Sequence, residues 1–303
     1  MMARGVLPSW RFPRHDRHMG KAEADIEAEL RAAGETPDDA LDIARLALAF
    51  AALDRPGISL APYEEHLKEL VRSLRVRLSP DPSRSGDSAE VVAGALAAIV
   101  ADRFLYRGDN ATYDDPQNAN LMHVIDRRKG LPVTLGILYL HAARSLGLDI
   151  CGLNFPGHFV LRLRVGQTAA IIDPFNRGEL LSTADLLRLL RSIEGEEAKL
   201  TPETHASVSA RDILLRLQNN ILSRAIRANE LDRARDVVAR MIWIAPRRAG
   251  LHFELGRLEV HAGHMGAAAE AFEICRNMAS GDGEMRIAGM AEEALRRLKT
   301  RLN

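Results

Sequence analysis

The chain is poor in sulfur. Its 303 residues hold two cysteines, Cys151 and Cys275, far apart in sequence. No disulfide framework can be built from them, and so few thiols fit a reducing, cytoplasmic setting. Nor is there an excess of either charge: 41 Lys and Arg balance 41 Asp and Glu. Bulk electrostatics therefore gives no reason to expect a nucleic acid or an anionic membrane as partner. The best apolar run, Val91 to Ala101, spans eleven residues with a glycine, against about twenty needed to cross a bilayer. The N-terminus has no apolar signal core. Metal-ligand spacings, a phosphate loop and a dinucleotide fingerprint are missing too, so no metal and no cofactor are expected. His123 and His141, for example, have no ligand-like spacing to each other or to His158.

What is present is ordinary globular material. Apolar residues make up 47%, enough for proper cores, and the length suggests roughly two domains. Residues 1–20 carry Arg4, Arg11, Arg14 and Arg17 against Asp16, and read as a disordered tail, with a basic targeting or binding arm as the alternative. From about Ala22 to Leu105 the pattern is helical. Asp38 and Asp39 stand ready to cap a helix with apolar residues at Leu41, Ala44, Leu46, Leu48 and Ala51. Pro62 can open a second, with Leu67, Leu70, Val71 and Leu74 on one face. After a Pro- and Ser-rich loop from Ser79 to Asp87, a third is expected from Ser88 to Leu105.

Tyr113 to Asn120 is turn-rich and leads to a short helix, Leu121 to Arg128; another follows from Pro132 and ends near Gly147. The period then changes from 3.6 to 2. Leu153, Phe155, Val160, Leu161, Leu163, Val165, Ile171 and Ile172 are strand-type residues, broken at Pro156-Gly157 and near Gly166. Ser182 can cap a further helix through Leu190, with Asp185 completing a near capping box. Helices followed by antiparallel strands predict an α+β core over residues 21–208.

The last third, 209–303, is helical and repeats itself. With a shift of 34, residues 215–248 align under 249–282: Leu217 over Leu251, Ile221 over Leu255, Ala228 over Ala262, Ala234 over Ala268, Val238 over Phe272. Thirty-four is the period of the tetratricopeptide repeat, a helical hairpin. Leu255-Gly256, Gly263, Ala268 and Phe272 fit its small-and-large pattern, and Pro246 its terminal proline. The aromatic usual in the first helix is missing, with Gln218 and His252 at one such position, Ala225 and Glu259 at the other. Two hairpins and a capping helix from about Gly283 to Leu302 are predicted, with Gln218, Arg224, Arg257 and His261 facing a ligand and Ile221, Leu222 and Leu255 packed inward.

The order of the helix from Pro132, then Pro156-Gly157-His158-Phe159-Val160, then Ile171-Ile172-Asp173-Pro174-Phe175 resembles the transglutaminase-like, or papain-like, core. That resemblance implies a helix opening Gly-x-Cys and closing Arg-x-Leu-Gly, with the cysteine twelve residues before the arginine. Twelve residues before Arg144 stands Pro132. A thiolate at a helix N-terminus is stabilised by unpaired amides and the helix dipole, a histidine moves its proton, and a carboxylate holds the imidazole tautomer. His158 and Asp173 are kept as a dyad; the nucleophile is not. Thr134 lies about 200° around the helix from residue 132 and should point away. Cys151, seven residues before His158 in a strand region, reads as a structural thiol. Asn118 and Asn120 read as turn or cap residues, with lining of the cleft as the alternative.

The blocks Asn118 to Tyr139, Gly152 to Val160 and Ile172 to Gly178 are similar to the bacterial SirB-type family, which joins a transglutaminase-like core to C-terminal tetratricopeptide repeats. In that family Gly-x-Pro is the usual helix entry, and the link to regulation of bacterial gene expression is by name. Two functions follow as expectations. One is a non-catalytic module that binds a protein or peptide through its repeats. The other is a hydrolase or acyl transferase with an altered nucleophile, using His158 and Asp173.

Overall fold

The computed structural model describes residues 20–78, 86–278 and 282–302. The expected tail and most of the loop from Ser79 lie outside them. The described residues divide into two compact units, one lying within 29–246 and one within 1–28 and 247–303.

The first helix is α1 (Lys21–Glu35); in the larger unit α2 (Ile43–Leu53), α3 (Ala61–Arg77) and α4 (Ala89–Ala97) precede the sheet. Asp42 caps α2 by accepting from the N–H of Arg45 at 3.0 Å. Asp38 and Asp39, expected in that role, instead form a separate short 3₁₀ turn with Ala40. The third expected helix is also split. α4 widens into π-type turns over Ala98–Arg103, which end before Leu105, a residue with positive φ. α5 (Leu121–Arg127) leads to α6 (Pro132–Arg144). α6 is apolar on all sides, with Pro132 to Leu140 entirely buried, the pattern of a helix surrounded by protein. It packs against α2, α3 and the sheet.

Two short strands, β1 (Arg107–Gly108) and β2 (Lys129–Gly130), pair in parallel beside α6. The main sheet holds β3 (Asp149–Leu153), β4 (Leu161–Val165), β5 (Thr168–Asp173), β6 (Glu179–Leu180) and β7 (Ser207–Val208) in the antiparallel order β6-β5-β4-β3-β7. Leu161, Leu163 and Val165 alternate inward on β4, as one buried face requires. α7 (Thr183–Glu194) begins with the full capping box, Ser182 and Asp185 bonding reciprocally. The core is thus α+β, and an all-α region follows it.

That region begins inside the larger unit with the hairpin α8 (Ala210–Arg227) and α9 (Leu231–Ile244). α8 packs on α2 and α6, and the Arg211 guanidinium donates to Asp38 and the carbonyl of Thr36. The smaller unit holds α10 (Ala249–His261), α11 (Met265–Met278) and α12 (Asp282–Leu302). The period of 34 is exact at the end of the first helix and at both ends of the second: Arg227 matches His261, Leu231 Met265, and Ile244 Met278. Even the left-handed turn residues correspond, Asn229 at φ 57° and Gly263 at φ 80°. In the second hairpin a Cβ on Gly256 would lie 2.6 Å from the Phe272 ring, so only glycine lets α10 approach α11 there. α12 then closes a core of Ala249, Phe272, Cys275, Ala291 and Leu295.

Candidate functional site

His158 is not on a strand. It ends a tight turn between β3 and β4, with its N–H donating to the carbonyl of Pro156 at 2.7 Å. Gly157 at the centre has φ 63°, which a residue with a side chain would adopt only under strain. Asp173 is the last residue of β5 and is 2% exposed. Its Oδ1 accepts from the N–H groups of Phe175 at 2.9 Å and Asn176 at 3.3 Å. Its Oδ2 accepts from Asn176 Nδ2 at 2.8 Å and lies 2.9 Å from His158 Nε2. Burial works to raise the Asp173 carboxyl, but the His158 hydrogen bond, the His158 charge and the two partners from Asn176 and Phe175 outweigh it. The net result is a carboxyl below its ordinary value. An ionised carboxylate only accepts, so the proton of a neutral imidazole sits on Nε2 and the lone pair on Nδ1. Among the described residues, Nδ1 has no hydrogen-bond partner.

Pro132 is the first residue of α6 and is buried. Its place relative to the dyad follows from Gly136, one turn further on the same face. A Cβ at Gly136 would lie 2.4 Å from the ring of Phe159 and 3.7 Å from Pro174. These are the chain neighbours of His158 and Asp173, so the face that carries residues 132 and 136 is the one turned toward the dyad segments. The opposite direction is taken by Thr134, fully buried, whose hydroxyl donates to the carbonyl of Asn118 at 2.9 Å. Arg144, at the far end of the helix, donates to the carbonyl of Ile150.

Asn118 and Asn120 are both buried and work structurally. Asn118 Nδ2 donates to the carbonyl of Thr112 at 2.6 Å, and its Oδ1 accepts from Arg127, which also holds buried Asp109 at 3.0 Å. Asn120 caps α5 through the N–H of His123 and donates to the carbonyl of Ala51. Cys151, half-buried on β3, accepts from Arg162 at 3.5 Å and packs against the cluster around Leu153 and Leu190. Cys275 is fully buried in the smaller unit.

The four polar residues assigned to the repeats separate. Arg257 and His261 are exposed. Gln218 and Arg224 are largely buried, 1% and 9% exposed, and Arg224 lines a surface pocket together with Tyr113, Asp114, Asn220 and Arg227. Arg224 donates to the carbonyls of Tyr113, Asp114 and Asn220, so its charge anchors α8 to the 113–114 loop. Ile221, Leu222 and Leu255 are buried.

Sequence reasoning missed Arg216. From α8 it reaches back into the core, donating through Nη2 to the carbonyls of Phe155 at 3.1 Å and His158 at 2.5 Å. Both ends of the turn that presents His158 are thereby held by the first helix of the repeat region. The guanidinium also lies over the Phe159 ring, 5.6 Å from its centroid. Nothing local in the sequence pairs residue 216 with residue 158; an arginine on the otherwise buried face of α8 was the available signal.

Comparison with known proteins finds two family matches along the chain. The model of the transglutaminase-like superfamily matches residues 61–219, and a tetratricopeptide repeat model matches 221–301. A UPF0162 protein of Xylella fastidiosa (strain 9a5c) is 28% identical over 244 residues, covering 76% of this chain and 82% of its own. A UPF0162 protein of Pseudomonas aeruginosa is 32% identical over 216 residues, 69% of this chain and 77% of its own. Mouse F-box only protein 21 is 30% identical over 175 residues, 51% of this chain but 27% of its own. That last match is confined to part of a longer protein, so the similarity is to one segment of it.

Proposed function

We propose that this chain, which belongs to the transglutaminase-like superfamily and carries tetratricopeptide repeats behind that core, is a non-catalytic regulatory module that binds a protein or peptide partner through the repeats. One observation carries the reading. α6 begins with a proline, and the nearest hydroxyl, on Thr134, is buried and spent on the carbonyl of Asn118. Acyl transfer by this arrangement needs a nucleophilic atom at the helix N-terminus, and proline has none. The SirB-type resemblance of the blocks around Pro132, His158 and Asp173 agrees with a regulator. On the repeats, Arg257 and His261 are exposed on α10 and suit an acidic partner.

The test is affinity capture with the full chain and with Arg257→Glu. Partners retained by the first and lost by the second support the reading. Equal capture by both removes α10 from the binding surface.

The intact dyad supports a second reading, hydrolysis by a water activated at His158 Nδ1. Its signature is ester or amide turnover that His158→Ala abolishes and a cysteine-directed reagent leaves alone. Absence of any such turnover across an ester and amide panel leaves the binding module as the sole reading.

A further inference from the structure

We propose that α8 governs the dyad: Arg216 is a positioning residue that keeps the His158 imidazole on Asp173, and a shift at the repeat half of the same helix releases it.

The turn between β3 and β4 lies beyond the strand ladder. The ladder ends where the N–H of Leu153 donates to the carbonyl of Val160 at 3.0 Å. The backbone groups of residues 154–159 must therefore find other partners. Asn154 donates to the carbonyl of Ala206 at 2.9 Å, and His158 to that of Pro156 at 2.7 Å. The carbonyls of Phe155 and His158 are met by one nitrogen, Nη2 of Arg216, at 3.1 and 2.5 Å. Its two hydrogens can serve one oxygen each. On the far side of the turn, a Cβ at Gly157 would lie 2.8 Å from Ile193 of α7. That contact is packing and has no direction. The bond to the His158 carbonyl has one, and it fixes the peptide from which the imidazole projects.

The imidazole itself is held to the carboxylate by one contact, Nε2 to Asp173 Oδ2 at 2.9 Å. Asp173 cannot follow a histidine that moves, because Phe175 and Asn176 tie down both its oxygens. The dyad thus depends on where the turn is placed, and Arg216 places it.

The same helix also reaches the Asp173 side. Eight residues on, about 12 Å along the axis, Arg224 donates to the carbonyl of Tyr113 at 3.0 Å. The Tyr113 ring meets the Phe175 ring edge-on with centroids 5.8 Å apart, and the N–H of Phe175 is one of the donors on Asp173. α8 runs unbroken from Ala210 to Arg227. It crosses the join between the transglutaminase-like match, which ends at residue 219, and the repeat match, which begins at 221. A rigid element of this kind carries a shift at its repeat half to Arg216. The inference goes beyond the reading of the repeats and stands on the core alone, so capture results there do not bear on it.

The experiment records the imidazole N–H protons of the full chain by NMR at neutral pH. The His158 signal is identified by its loss in His158→Ala, and the exchange of its Nε2 proton with solvent is timed. Backbone amides of β4 and β5 in the same samples report the fold itself. Arg216→Gln should speed the imidazole exchange about tenfold, the size of one hydrogen bond to a charged group, and leave the strand amides unchanged. Arg216→Lys, which keeps the charge and a donor, should stay within about threefold of wild type. Arg224→Ala, which loosens the repeat half of α8, should speed the exchange by about threefold or more, and decides the matter if Arg216→Gln does not fold. Imidazole exchange unchanged in Arg216→Gln, or raised only as much as that of the strand amides, would overturn the positioning role. Exchange unchanged in Arg224→Ala would overturn control from the repeat half.

Discussion

Thr134 donates its hydroxyl to the carbonyl of Asn118 at 2.9 Å, from a position with no solvent access. The same carbonyl accepts from the N–H of Leu131 at 3.1 Å, so the loop before α5 and the first turn of α6 are tied at one oxygen. This geometry separates a structural hydroxyl from a nucleophilic one. The expected outcome for Thr134→Val is a loss of about 1 kcal/mol, the net worth of one hydrogen bond whose acceptor keeps another donor. Urea denaturation checks it, with a lower midpoint and an unchanged slope. Any hydrolytic turnover should be unaffected; its loss in this variant would place Thr134 in the chemistry.

Pro132 makes a complementary case by gain of function. Pro132→Cys puts a thiol at the first position of a 13-residue helix, where unpaired amides and the dipole stabilise the thiolate. The new thiol should be alkylated by iodoacetamide at neutral pH faster than Cys151 or the fully buried Cys275. The rate should drop when His158→Ala is added. Peptide mapping by mass spectrometry reads both. A thiol at 132 that reacts no faster than Cys151, or that ignores His158, would mean that residue 132 does not face the dyad.

A third expectation concerns pH. His66 on α3 shares a cluster with Tyr106 and Arg128, its Nε2 lying 2.7 Å from each partner atom. Burial, and then the Arg128 cation, pull its pKa down to about 4, against a smaller opposing effect of Glu69. The folded state therefore holds His66 neutral. Above the unfolded value of about 6.5 neither state carries the proton and the contribution to stability is complete. As pH falls from there toward 4, the unfolded chain takes up a proton that the folded chain refuses, and stability declines. Chemical denaturation as a function of pH should show this slope, and His66→Gln should flatten it. An identical slope in wild type and variant would assign the decline to other groups.

How far the sequence alone reached depends on the range of the interaction concerned. The period of 34 was readable because each hairpin repeats its own local pattern, down to the left-handed residues Asn229 and Gly263. The capping box at Ser182 was readable for the same reason, since both partners lie within three residues. The split of the helix after Ala97 into π-type turns has no such local mark. The orientation of α8 was also illegible. A helical wheel gives the buried face but not what covers it, so Arg224 looked like a polar residue facing a groove. It does line a surface pocket, but its guanidinium is held by three carbonyls. Arg216 escaped notice because its partners are backbone oxygens 58 and 61 residues away, and backbone acceptors leave no signature in sequence.

The contrast between Arg224 and Arg257 yields the last prediction. Both are arginines on the first helix of a hairpin, 33 residues apart, yet their surroundings differ. Arg224 is 9% exposed and donates to the carbonyls of Tyr113 and Asp114 across the α8 contact with the core. After Arg224→Ala the Tyr113 carbonyl would keep only the long contact from Asn118 Nδ2 at 3.4 Å, and hydrogen bonds to a charged group are each worth about 1.5–3 kcal/mol. The variant should lose about 2–3 kcal/mol, and hydrogen exchange should speed up along α8 and the 113–114 loop. Arg257 has a side chain 56% exposed and, among the described residues, pairs with Glu254 within its own helix. Such a surface pair contributes little, so Arg257→Glu should leave stability within about 0.5 kcal/mol of wild type. That difference lets the capture experiment be interpreted, because a partner lost on charge reversal at 257 cannot then be ascribed to unfolding. Equal destabilisation by the two substitutions would show that α10 relies on Arg257 for its fold, and capture would then have to be tested with His261→Ala instead.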